Sequence, residues 1–432
     1  MDFTNELGMI PLREVANINE VTINPKSLDW LNYTDISSVG ARTVETPLMV
    51  SGQDAPSRAR RVLRNGDTVI STVRPNRKSY FLFRDNWDRA IASTGFAVIS
   101  PKNFQDSEYL HAVLTTDAAT AHYESLCEGG AYPAFNPHAI ENMQIPWPSR
   151  QERELVGSLS SAILRKIETN VRLSNSLESI AQVIFKSWFI DFDPVKAKIA
   201  GEKPVGLNKA TSALIPDSME DSELGPIPTE WTVGTMAELF GLQGGFSFKS
   251  SSWTEDGVPV IKIGSVKPGL VDLNQVSYVD EVLAQKTSSA YRLPRGSLVI
   301  GLTGYVGEVG LLKQHREIPL LNQRVAKFLP VNGTWKIPFI YCLTRRPQFK
   351  QRVIDAANGS AQQNVSNSQI LSLQTLVPPI ELVESFNDQF ESLFDQILLL
   401  AEQNDELSQL RDSLLPRLIS GELQIPEEML VP

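Results

Sequence analysis

Two segments of the chain carry apolar or small residues in alternating four- and three-residue steps. The first passes through Ile163, Ile167, Asn170, Ser174, Leu177, Ala181, Ile184 and Trp188. The second passes through Leu393, Ile397, Leu400, Asn404, Leu407, Arg411 and Leu414 in the same register. Each is a heptad stripe with polar breaks, which predicts a long amphipathic helix. A helix of about 40 residues is roughly 60 Å long, and its own turns cannot cover such a stripe. The two helices are therefore expected to pair with each other as an antiparallel coiled coil. Asn170, Asn404 and Arg411 would help to fix its register. Two separate helix-on-domain packings are the plainer alternative. The short apolar runs Gly66–Ser71 and Gly296–Gly301 predict strands.

The order of these elements repeats. Leu63-Arg64-Asn65-Gly66-Asp67-Thr68-Val69-Ile70 aligns with Leu293-Pro294-Arg295-Gly296-Ser297-Leu298-Val299-Ile300 at an offset of 293 − 63 = 230. The same offset sets Gly129 on Gly359, Ile140 on Ile370, Gln144 on Gln374 and Pro148 on Pro378. Towards the N-terminus it shrinks, to 227 for Ile36–Val39 on Ile263–Val266 and to 217 for Ile10-Pro11 on Ile227-Pro228. Insertions of this kind belong in loops. The fold class that follows is α+β. Two similar mixed α/β globular domains, residues 1–148 and 225–379, each run into a long helix, 149–192 and 380–423. Pro-rich punctuation (Ile145-Pro146-Trp147-Pro148 and Val377-Pro378-Pro379) marks each entry into a helix. Residues 193–224 read as an exposed connector, and 424–432 as a tail.

Composition removes several function classes. A chain of 432 residues has room for two to four domains, and these two modules fill it. Cys127 and Cys342 are too few for a disulfide framework or a four-cysteine zinc site. The four histidines lack metal-ligand spacing, so no metal is expected. No P-loop, nucleophile elbow, kinase set or paired-carboxylate arrangement is present. The Gly301, Gly304, Gly307, Gly310 series reads as strand–turn–strand, because no lysine or helix start completes a nucleotide site. The N-terminus lacks a secretory apolar region, and no stretch reaches membrane-span length. A cytoplasmic protein with no membrane partner is expected.

Charge changes the picture in one respect. The total of −10 argues against a nucleic-acid binder, but its distribution is uneven. Residues 1–148 carry −4, 149–192 +1, 193–224 −2, 225–380 +5 and 381–432 −10. Between Arg58 and Arg84 there are eight basic residues and a single acid, Asp67. Arg58, Arg60, Arg61, Arg64, Arg74, Asn76, Arg77 and Lys78 form a mixture suited to phosphates and base edges. A solvated charged face is the alternative. The second domain offers Lys249, Lys262, Asn322, Gln323 and Arg324, and an amide-rich loop with Gln362, Gln363 and Asn364. Amides can bind adenine bidentately. The equivalent loop of the first domain holds Tyr132 instead. Equivalent loops with different side chains would read different sequences.

The chain resembles the specificity subunit of a type I restriction–modification system. The resemblance rests on the duplicated plan and on local motifs: GDTVIS (66–71) with GSLVIG (296–301), IPWPSRQERELV (145–156), LVPPIELVESF (376–386), FKSWFIDFDPVKAK (185–198) and LRDSLLPRLISGEL (410–423). It implies that each globular segment is a target recognition domain reading one half of a split, asymmetric site in double-stranded DNA. It implies no catalysis and no cofactor in this chain. DNA adenine methyltransferase (modification) subunits would bring S-adenosylmethionine, and restriction subunits would bring ATP-driven cleavage. The helices would dock the modification subunits. The first domain departs from the pattern, with GGAYPAF where the second has GSAQQNVS. A duplicated scaffold that binds only proteins, and the recognition part of a self-contained methyltransferase, are the rival readings. If the helices space the half-sites, seven residues inserted between Asn170 and Leu173 will lengthen the spacer and leave both half-sites unchanged. Mapping methylated adenines by sequencing tests this, and an altered half-site with a constant gap would refute it.

Overall fold

The computed structural model describes residues 8–426 apart from 41, 85–86, 131, 334 and 358–363, together with residue 428. The chain divides into two compact units. One comprises the residues described up to 168 with those from 405 onward, and the other comprises 169–404. Each unit thus contains a globular domain and a stretch of both long helices.

In the first unit the strand Thr68–Ser71 is buried along its whole length, with Thr68, Val69 and Ile70 supplying three consecutive β-branched positions. It sits inside an antiparallel sheet ordered Ala16–Ile18, Phe96–Pro101, Thr68–Ser71, Tyr80–Leu82. A second four-stranded sheet runs Leu48–Ser51, Trp30–Thr34, Ala90–Ser93, Ala59–Val62, with the middle pair parallel. Helices Ser107–Leu114 and Asp117–Ser125 cover one side, and the Thr116 hydroxyl caps the second by accepting from the Ala119 amide. Met9–Pro11 closes the domain against Gln144–Pro146.

The second unit repeats this plan. Phe240–Gly244, Val325–Pro330, Leu298–Gly301 and Val309–Leu311 follow one another in the corresponding order, with Gly269–Leu270 added at the edge. Helices Ile337–Thr344 and Pro347–Ala356 stand 230 residues after their counterparts. The glycine series is a strand–turn–strand, with Leu298–Gly301 antiparallel to Val309–Leu311.

One expectation is corrected and one is refined. Ile10-Pro11 does not correspond to Ile227-Pro228, which lies in a hairpin of Met219–Ser222 with Gly225–Pro228. The Leu12 amide donates to the Met143 carbonyl and the Met236 amide to that of Leu373, so the offset here is 236 − 12 = 224. The connector is mostly exposed, but it is not without structure. It holds helices Asp193–Ile199 and Lys209–Ala213. Its Val195 and Ile215 are buried with Phe192, Ile227 and Trp231 in the second unit's core, whereas Ile199 and Val205 are exposed.

The long helices span Arg150–Phe189 and Ile380–Ile419. The first opens on a capping box: the Ser149 amide donates to Glu152 Oε2 at 2.9 Å, and the Glu152 amide to Ser149 Oγ at 3.4 Å. The stripe residues Ile163, Ile167, Leu177, Ile184, Leu393, Ile397, Leu400, Leu407 and Leu414 are all buried or half-buried. In the first unit, Leu415 and Ile419 of the second helix share a core with Val156 of the first and with Tyr109. In the second unit, Asn170 Nδ2 donates to Asn404 Oδ1 at 2.9 Å. Further along, Trp188 meets Phe386 with ring centroids 5.8 Å apart, so the helices run antiparallel.

Phe386 is fully buried and contacts the rings of Phe185, Trp188, Phe189, Phe339 and Phe390. Beside it Asn387 Oδ1 accepts the Phe339 amide at 3.1 Å, pinning the helix to the domain. Phe386→Ala is expected to lower the stability of the second unit by about 3–5 kcal/mol. Denaturant unfolding of the full chain measures this, and a loss below about 1 kcal/mol would show that the ring cluster is not the anchor.

Candidate nucleic-acid interface

The central buried strand of each unit ends in an exposed turn, and a second segment crosses that turn. In the first unit the Phe135 amide donates to the Thr72 carbonyl at 3.1 Å, and Val73 bridges Ala134. In the second, the Val365 amide donates to the Leu302 carbonyl at 3.0 Å, and Thr303 bridges Asn364. All four positions stand at the offset of 230. The two units therefore build one frame twice and place different side chains on it.

In the first unit the turn is Arg74, then a short 3-10 turn Pro75–Arg77, then Lys78. Arg74 and Lys78 both have left-handed backbones, with φ of 51° and 53°. Pro75 pre-sets the first position of the turn between them. The Arg74 amide donates to the Pro133 carbonyl at 2.8 Å, and the Arg74 guanidinium lies 4.5 Å from the centroid of the exposed Tyr132 ring. At the other end the Lys78 carbonyl accepts the Arg42 amide at 3.0 Å, and Lys78 Nζ meets Asp117 at 2.6 Å. Arg42 is paired in turn with Asp412 near the end of the second long helix, at 2.9 Å. Both ends are thus fixed, and Asn76 and Arg77 are exposed at the apex.

In the second unit Gly304 occupies the position of Arg74, and its φ of 75° lies in the same left-handed region. An L-residue there costs about 1–2 kcal/mol that glycine avoids. Tyr305 follows, half exposed, with Lys267 Nζ 5.2 Å from its ring centroid. Thr303 Oγ1 donates to Asn364 Oδ1 at 2.8 Å, and the Arg324 carbonyl accepts the Leu302 amide at 3.0 Å. Thr303, Tyr305, Arg324 and Asn364 therefore belong to one edge.

The sequence-level candidates divide by their partners. Arg58 pairs with Asp35 at 2.7 Å and Arg64 with Glu20 at 3.0 Å, so these charges, like that of Lys78, are largely neutralised. Arg61 is half-buried, and its Nε has no hydrogen-bond partner among the described residues. Lys262 lies 4.4 Å from the Trp253 ring centroid and donates to Ser277. Asn322 is buried in the turn between strands, its carbonyl accepting the Val325 amide, which removes it from the surface. Gln362 and Gln363 lie outside the described residues. Arg60, Arg77, Lys249, Gln323 and Arg324 are exposed. Among the described residues none of the four cations in this group has a carboxylate within ion-pair distance. Tyr305 and Thr303 were missed. Their signal was the glycine series, which at offset 230 puts them on the first domain's Pro75 and Val73.

Among the described residues no group of three or more His, Cys, Asp or Glu side chains could hold a metal ion. No helix there is long and apolar enough to cross a membrane.

Two matched loop frames on a duplicated fold present different side chains from one geometry. The family model of the type I restriction modification DNA specificity domain matches residues 228–409. The chain is 25% identical over 416 residues to the type I restriction enzyme HindI specificity subunit of Haemophilus influenzae, covering 86% of this chain and 89% of that one. It is 25% identical over 344 residues to the MjaIX specificity subunit of Methanocaldococcus jannaschii, covering 77% and 73%. The crystal structure of a type I restriction–modification system S subunit from M. genitalium superposes with a TM-score of 0.53 at 13% identity, covering 97% of this chain and 98% of that chain. This last likeness concerns the fold alone. The chain is thus similar, along most of its length, to type I restriction–modification specificity subunits.

One group beneath the first frame titrates in an accessible range. Asp67 is buried at the entry to the central strand, where its Oδ2 accepts the Arg64 amide at 2.7 Å. Burial pushes its carboxyl up to about 6. The folded state then holds a proton that the unfolded chain releases near pH 4, so this group's contribution to stability falls as pH rises from about 4 to about 6. Asp67→Asn, neutral throughout, should gain stability relative to the wild type across that window. Unfolding free energies at pH 4, 5, 6 and 7 measure it, and a constant difference between the two proteins would contradict the shift.

Proposed function

We propose that this chain reads a bipartite, asymmetric site in double-stranded DNA, one half-site per unit, as the non-catalytic subunit of a type I restriction–modification complex. The observation that carries this reading is the twice-built frame. The same strand, left-handed turn and crossing segment present Arg74, Asn76, Arg77 and Tyr132 in one unit and Thr303, Tyr305, Arg324 and Asn364 in the other. Equivalent frames give both half-sites one docking geometry, and unlike side chains give them different sequences. The exposed cations Arg60, Arg77, Lys249 and Arg324 suit phosphates.

Catalysis would come from partners in this scheme: modification subunits that methylate adenine with S-adenosylmethionine, and restriction subunits that cleave with ATP. The long helices supply the dock. Leu173, Ile180 and Val183 of the first are 47%, 49% and 66% exposed, an apolar outer face beside the buried stripe. The acidic second helix suits a basic partner surface.

The test is methylome sequencing of cells that carry a cognate modification subunit with or without this chain. Methylated adenines should appear in one split motif only when the chain is present. Methylation by the chain alone, or a motif independent of it, would overturn the reading.

A further inference from the structure

The position shared by Arg74 and Gly304 sets a puzzle in the first unit. Both residues have left-handed backbones at the same point of the same frame. Glycine is the residue such a point favours, and the second unit has it. The first unit keeps an arginine there against that preference, and strain held at a surface turn points to function. The turn is also built to hold this side chain still. Its amide is tied to the Pro133 carbonyl, the Arg77 amide donates back to the Arg74 carbonyl at 3.0 Å, and the guanidinium lies over the Tyr132 ring. Tyr132 is 72% exposed, so it contributes little to the core. Its place on the crossing segment gives the guanidinium a flat platform.

We propose that Arg74 reads a guanine in the half-site of the first unit and that Tyr132 is its positioning residue. This rests on the DNA-reading function proposed above. A guanidinium is a planar fork of donors, and guanine O6 and N7 are the matching pair of acceptors in the major groove. Stacking on an aromatic ring fixes the plane of the fork, so the orientation needed for a bidentate contact exists before DNA arrives. A phosphate would need only a charge, which Arg77 and Arg60 supply without a strained backbone. In the second unit Gly304 offers no side chain at this register, so the two half-sites differ here by design of the turn.

The variants are Arg74→Gly, Arg74→Lys, Tyr132→Phe and Tyr132→Ala, each in the full chain with its cognate modification subunit, read by methylome sequencing. Arg74→Gly gives the turn the residue its counterpart already has, so it should melt at or above the wild-type temperature. A drop of several degrees would contradict the strain and the assignment with it. In its motif one G·C pair of one half-site should become degenerate, with discrimination falling about tenfold or more. The other half-site and the spacer should stay the same. Arg74→Lys should not restore that base pair, because an ammonium lacks the fork. Tyr132→Phe should keep it and Tyr132→Ala should relax it. An Arg74→Gly motif identical to the wild type would overturn the assignment, as would uniformly weaker methylation at an unchanged motif, the mark of a phosphate contact. A wild-type complex that methylates no split site would instead overturn the function on which the assignment rests.

Discussion

A long amphipathic helix in a protein draws most of its stability from packing its apolar stripe, and this chain has two of forty residues each. Their mutual burial is the constraint on which the rest depends. It explains why the polar breaks are tolerated: Asn170 and Asn404 meet across the pair and satisfy each other. It also explains why each globular domain is attached firmly. In the first unit Arg153, on the first helix, pairs with the buried Asp106 at 2.9 Å and lies 4.1 Å from the Trp147 ring centroid. In the second unit Arg295 reaches Glu402 and Asp395 of the second helix, at 2.7 and 2.9 Å. Helix and domain form one packed body within each unit, so a turn at the domain's edge is held relative to the helix beneath it.

That rigidity matters because the two exposed turns are loops. The first is secured at Arg74 through Pro133 and at Lys78 through Asp117 and Arg42, and Arg42 leads on to Asp412 of the second long helix. The side chains between these anchors can point outward without the loop losing its course. The second turn replaces this ionic anchorage with a bridge between Thr303 and Asn364 and a hydrogen bond from the Leu302 amide to the Arg324 carbonyl. Two solutions to one mechanical problem leave the apex of each turn free to differ.

The sequence was most informative where burial governs residue choice. The repeat at 63–70 and 293–300 was legible because a central strand buried on both faces tolerates few residue types. It failed at Ile10-Pro11, where an Ile-Pro pair recurs by chance in a neighbouring hairpin while the true counterpart, Gly234-Thr235, shares no side chain with it. Basic residues were legible as a cluster but not as a surface. Asp35, Glu20 and Asp117 are remote along the chain from the cations they neutralise, and only the fold brings them together. Asn322 resembles a base-reading amide in sequence, but its backbone role in a tight turn buries it. The left-handed Arg74 left no mark on composition or periodicity, and it becomes visible only beside Gly304.

The first unit is discontinuous along the chain. Its core is completed by Leu415 and Ile419, more than 200 residues after Val156 against which they pack. During synthesis the whole second unit leaves the ribosome before these residues do. The first domain must therefore wait with Tyr109, Leu110 and Ile145 only partly covered while its sibling can already close. A nascent chain in that interval has one core complete and one still lacking part of its cover. A chain cut short before Leu415 would lack the side chains that complete the core of its first domain.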